Sequence, residues 1–118
     1  MKTPLLLLSF TLLIFSCFPR KEPGISISNN CDVDYDSIKV FTSIEKPTLF
    51  YNIKANSRVK GKILFDNNKK GDGCYKILVY KEEILKFNDC FGYYTNGASL
   101  NYGFEISIES DTLIVKSK

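Results

Sequence analysis

The chain has 118 residues with 16 basic and 13 acidic side chains, four cysteines, and no histidine or tryptophan. That length holds one domain and excludes a multi-domain enzyme with a separate cofactor fold. Without histidine there is no Ser-His-Asp or Cys-His catalysis and no zinc site that needs imidazole.

The amino end differs from the rest. Lys2 is the only charged side chain in residues 1–16, and Leu5 to Phe15 is an apolar stretch interrupted only by Ser9 and Thr11. About 20 apolar residues are needed to cross a bilayer, so this stretch has the length of a secretory h-region and not of a spanning helix. It ends in Ile14-Phe15-Ser16-Cys17, followed by the polar run Pro19 to Gly24.

Ile14-Phe15-Ser16-Cys17 resembles the lipobox of bacterial lipoproteins: an aliphatic residue, a small residue just before the cleavage point, and the cysteine that becomes the first residue. The resemblance implies cleavage after Ser16, a diacylglyceryl group on the Cys17 sulfur and usually an acyl chain, such as palmitate, on the new amino terminus. Two or more acyl chains hold a protein on a membrane where one binds reversibly. The alternatives are a secreted protein cut elsewhere near Ser16 and an uncleaved anchor. On the lipoprotein reading residues 1–16 are the signal peptide, 17–23 a tether, and 24–118 the domain, held by lipid in the envelope, at the outer membrane, facing the periplasm or the cell surface. Loss of Lys2 with the signal leaves 15 basic against 13 acidic residues. Such a near-neutral chain gives no reason to expect a nucleic-acid partner.

From Gly24 the pattern becomes short alternating apolar runs broken by turn residues. Ile25 and Ile27 alternate with Ser26 and Ser28 before Asn29-Asn30. Ile38 and Val40 alternate with Ser37, Lys39 and Phe41, and Leu49, Tyr51 and Ile53 with Phe50 and Asn52. Val59, Gly61, Ile63 and Phe65 share one face, and Arg58, Lys60 and Lys62 the other. Tyr75, Ile77 and Val79 follow the loop from Asp66 to Gly73. Lys81 to Phe87 fits a turn or two of helix or, equally, a strand. Asn96-Gly97 is a strong hairpin signal, expected to pair Phe91–Tyr94 with Ser99–Tyr102. Phe104, Ile106 and Ile108 face away from Glu105, Ser107 and Glu109, and Ser110-Asp111 fits a turn into Thr112–Val115. Seven to nine strands in about 95 residues predict an all-β antiparallel sandwich, immunoglobulin-like or C2-like, with a small closed barrel as the alternative.

With Cys17 acylated, Cys31, Cys74 and Cys90 remain, and three single pairings are open. Cys74 and Cys90 each begin a strand, so neighbouring strands bring them within reach. Their bridge would close a loop of roughly 17 residues, worth about 3 kcal/mol on the chain-entropy estimate. If Cys17 is not acylated, four cysteines pair evenly.

Other chemistry is sparse. Asp32, Asp34 and Asp36 have the spacing that opens a calcium loop, but Ser37 and Ser43 stand where the motif needs Gly and Glu. Counting from Asp66 also fails, at Lys70 and Ile77. Glu105 and Glu109 lie about 13 Å apart along one strand, too far for an acid/base pair, and Glu82-Glu83 would point to opposite sides on a strand or both face water in a turn. No metal, cofactor or catalytic residue is expected. The basic stripe Arg58, Lys60, Lys62 reads as a solvated sheet face that also suits anionic headgroups. Tyr93, Tyr94 and Asn96 make the candidate partner surface, because one of two consecutive strand tyrosines must face outward. The function expected is a non-catalytic binding or structural module of the envelope. The alternative is an immunity or inhibitor lipoprotein that blocks a toxin or hydrolase.

Overall fold

The computed structural model describes residues 22–65 and 71–118; residues 1–21, with Cys17 and the expected signal, and residues 66–70 lie outside the described residues. Nine strands are present among them: β1 Gly24–Asn29, β2 Tyr35–Phe41, β3 Thr48–Ile53, β4 Arg58–Lys62, β5 Gly73–Lys81, β6 Ile84–Thr95, β7 Ala98–Ser99, β8 Gly103–Ile108 and β9 Leu113–Ser117. No helix occurs among the described residues. The strands form two packed sheets, one in the order β4-β1-β8-β9 and the other β3-β2-β5-β6-β7.

Period-2 alternation builds the core. Ile25 and Ile27 of β1, Ile38 and Val40 of β2, Tyr75, Ile77 and Val79 of β5, and Phe104, Ile106 and Ile108 of β8 are buried between the sheets. Their intervening neighbours face outward. Rings concentrate at one end, where Tyr75 and Phe91 each lie with their centroids 5.0 Å from that of Phe104 in edge-on packing.

The expectation of an all-antiparallel sandwich is corrected at one pair. β1 runs antiparallel to β4 but parallel to β8, with Ile25 opposite Phe104 and Ile27 opposite Ile106. A parallel pair needs a long crossover, and here most of the domain supplies it: the chain leaves β1 for β2 and β3 of the other sheet, comes back as β4, crosses again to β5, β6 and β7, and returns at β8.

The buried Asn29 fixes the first of these crossings. Its side-chain amide donates to the carbonyls of Val33 (2.8 Å) and Lys54 (3.1 Å), and its Oδ1 accepts from the N–H of Cys31 (3.1 Å). The sheet-crossing turn after β3 is held from the other side by Asp34, whose carboxylate accepts from the N–H of Ala55 at 2.8 Å.

Two further expectations change. The Asn96-Gly97 turn forms with positive φ at both residues (50° and 72°), but the hairpin pairs only Tyr94 with Ser99 and Thr95 with Ala98. It stops short because the Ser99 hydroxyl donates to Asn101 O and accepts from Asn101 N–H, turning the chain away. In β3, Leu49 and Tyr51 are exposed while Phe50 packs against the core, and Asn52, at φ 53°, resets the alternation so that Ile53 is buried. Lys81–Phe87 resolves into strand ends around a two-residue turn of Glu82 and Glu83, with Lys81 opposite Ile84.

Candidate binding surfaces

The β5–β6 ladder shifts register between Gly73 and Tyr75, where Gly92 adopts φ 59°. This bulge lies next to the disulfide between Cys74 and Cys90, whose Cα atoms are 5.7 Å apart. Cys31 is the free cysteine among the described residues; its thiol donates to Ile108 O at 3.4 Å and accepts from the Tyr35 hydroxyl at 3.8 Å. Burial, and then the thiol contact, push the Tyr35 hydroxyl up to about 12.

The structure separates the two tyrosines of the expected partner surface. Tyr93 faces solvent, whereas Tyr94 is half-buried with its ring 5.3 Å from Tyr75 and 5.4 Å from Phe65. Asn96 forms the turn, and its N–H donates to Asp72 Oδ1 at 2.7 Å. Tyr94 also borders a hollow of about 650 Å³ shared with Phe41, Ile44, Cys74 and Lys76. The Tyr75 hydroxyl is buried with no partner in bonding geometry; burial raises its pKa, and the nearby Ser99 hydroxyl only tempers this.

A better-formed surface lies on the outer face of the five-stranded sheet. Ser37 of β2 is opposite Tyr51 of β3 on one side and Tyr80 of β5 on the other. Two tyrosines therefore stand two strand spacings apart, about 10 Å, with a small serine between them. The next outward position of β2, Lys39, pairs with Leu49. Together with Asp36 and Glu83 these residues line a groove of about 420 Å³. Tyr51 is 65% exposed, so its ring offers large apolar area without filling the core. Asp36 also holds the adjoining turn, its Oδ2 accepting from Glu83 N–H at 3.1 Å. Paired rings over a small floor, with a lysine and two carboxylates at the margin, suit contact with a partner that has an apolar face and polar edges.

Alternation around Ile38, Val40, Ile77 and Val79 already turns Ser37, Lys39 and Tyr80 outward. What sequence reasoning missed is the strand neighbourhood that joins them to Tyr51, because apolar residues on both parities of β3 conceal which face is core.

The three carboxylates of the calcium-like spacing part company: Asp34 holds the β3–β4 turn, Asp36 the β5–β6 turn, and Asp32 is exposed. Arg58, Lys60 and Lys62 all face outward from β4. Glu105 is held below its usual carboxylate range by Lys118, 2.8 Å away, with Arg58 and Lys116 contributing.

No protein-family model, no curated protein and no solved structure matches the chain. Its class is therefore set by its own architecture, an all-β domain of two packed sheets with an exposed tyrosine groove.

Proposed function

We propose that the chain is a small cell-envelope lipoprotein, anchored through Cys17, whose β-sandwich of the immunoglobulin-like or C2-like kind is a non-catalytic module that binds a protein partner. The observation that carries the binding role is the groove in which Ser37 separates Tyr51 and Tyr80. Exposed tyrosines on a rigid sheet supply contact area at low entropic cost, and such residues dominate the energetics of interfaces. The anchor is supported by the lipobox-like Ile14-Phe15-Ser16-Cys17.

The test has two parts. Intact mass of detergent-extracted protein should equal residues 17–118 plus acyl chains; a soluble, unacylated species cut elsewhere removes the anchor. Crosslinking in cells should then capture a stoichiometric partner with the wild type and with Tyr93→Ala, but not with Tyr51→Ala/Tyr80→Ala. Equal capture by all three removes the groove from the binding role. A toxin or hydrolase as the captured partner would make the module an inhibitor.

A further inference from the structure

The outer face of the four-stranded sheet, opposite the tyrosine groove, has an unusual lateral order. Its two edge strands carry the long cationic side chains: Arg58, Lys60 and Lys62 on β4, and Lys116 on β9 with Lys118 just beyond it. Its two middle strands present glycine, serine and a single glutamate, Glu105. Register aligns Lys60, Ser26, Glu105 and Lys116 in one row, and Arg58, Ser28, Ser107 and Ile114 in the next. Gly24 and Gly103 pair in the row that begins at Lys62, and Lys118 N–H donates to Gly103 O at the far side. The result is a trough about 14 Å across, with a floor of glycine, serine and Glu105 and cationic rims interrupted at Ile114. Glu105 is the one carboxylate within these rows, and its charge is already met by Lys118 at 2.8 Å.

We propose that this face seats on the phosphate groups of anionic phospholipids at the surface of the membrane that holds the anchor. The inference rests on the lipid anchor proposed above. Charge complementarity and the position of the trough both argue for it. The chain enters the domain at the trough's Lys62–Lys118 end, where Ile63 N–H donates to Pro23 O at 3.0 Å and β1 begins at Gly24. A tether of residues 17–23 reaches at most about 25 Å, and a six-residue strand spans about 20 Å. The tether is therefore short enough to keep the face near the headgroups and long enough to let it lie flat. In that orientation the groove of Tyr51 and Tyr80, on the other sheet, faces away from the membrane. Serine hydroxyls on the floor donate to phosphate oxygens, and the rims supply the charge.

The test reconstitutes the full acylated protein into vesicles of phosphatidylcholine alone, or with about one-third phosphatidylglycerol, and maps lysine acetylation by mass spectrometry. Acetylation of Lys60, Lys62 and Lys116 should slow about tenfold on anionic vesicles relative to neutral ones, with Lys39 and Lys76 of the other sheet unchanged. High salt should restore it. Equal acetylation on both vesicle types overturns the proposal. Should intact mass show no acyl chain, the anchor has failed separately, and co-sedimentation of the same protein still decides the face. Binding only to anionic vesicles, weakened about fivefold for each cation neutralised in Lys60→Gln and Lys62→Gln, sustains it, and no preference overturns it. Protection by a soluble sulfated polysaccharide but not by vesicles would assign the trough to polyanionic sugars and overturn the lipid assignment.

Discussion

Gly92 lies against the ring of Phe104, so close that a Cβ built on it would stand 2.7 Å from two of the ring carbons and 2.9 Å from Tyr75. Its φ of 59° independently disfavours any L side chain. Gly92→Ala therefore combines left-handed strain with overpacking, about 2–4 kcal/mol together. Gly24, where a Cβ meets nothing within 4 Å, is the control. Urea titration should show a large loss for Gly92→Ala and less than about 0.5 kcal/mol for Gly24→Ala. Equal midpoints would mean that the bulge relaxes freely.

The buried Asn29 satisfies two carbonyls and one N–H from two segments, the β1–β2 and β3–β4 connections. Asn29→Ala leaves them without these partners and should cost roughly 2–4 kcal/mol. Asn29→Asp, which aims a carboxylate oxygen at the same carbonyls, should cost more. Thermal unfolding of the three proteins orders them, and an aspartate variant as stable as wild type would contradict the assigned amide orientation.

These two residues mark where the sequence stops being legible. Alternation of Ile25 and Ile27, or of Phe104, Ile106 and Ile108, announces strands and their inner face, because a half-buried strand leaves that signature locally. Asn96-Gly97 announces its turn for the same reason. Gly92 does not announce a bulge, and Asn29 reads only as the end of a run, since the value of each depends on partners from distant segments. The parallel pairing of β1 with β8 and the meeting of Tyr51, Ser37 and Tyr80 are likewise products of strand order, which no local pattern encodes. The sequence leaves a Glu82-Glu83 turn open beside a strand, because neither residue favours the positive φ that the turn requires.

That turn is correctable. Glu82 and Glu83 have φ of 51° and 63° in a two-residue hairpin, a conformation suited to Asn-Gly. Glu82→Asn/Glu83→Gly should raise stability by about 1–2 kcal/mol, while Asp36 keeps its bond to the backbone N–H of residue 83. A neutral or lower urea midpoint would show that the glutamates contribute something the geometry does not display.

The Cys74–Cys90 bridge closes a sequence separation of 16 residues. Cys74→Ser/Cys90→Ser should lower stability by about 3 kcal/mol. Reductant should bring the wild type down by a similar amount and leave the double variant unchanged. Because Cys90 is exposed, that reduction needs no prior unfolding.

Stability should fall at both ends of the pH range, for opposite reasons. Asp34 is lowered from 3.8, chiefly by the Ala55 N–H and then by Lys54, and Glu105 is lowered from 4.5, chiefly by Lys118. A carboxylate depressed in the folded state binds fewer protons there than in the unfolded chain. Its contribution is present above the unfolded value and disappears as pH falls through the folded one. Tyr35 is raised from 10.0 to about 12 by burial and the Cys31 thiol, and Tyr75 is raised by burial. A phenol kept neutral by the fold contributes below its unfolded value, and that contribution is lost as pH climbs from 10 toward the folded value. Urea midpoints should therefore decline below about pH 4.5 and above about pH 10. Asp34→Asn/Glu105→Gln should flatten the acid decline and Tyr35→Phe the alkaline one. Phenolate absorbance of the wild type minus that of Tyr35→Phe should show Tyr35 ionising well above the ordinary phenol value of 10.0. An acid limb in the double variant as steep as in the wild type would place the responsible carboxylates elsewhere in the chain.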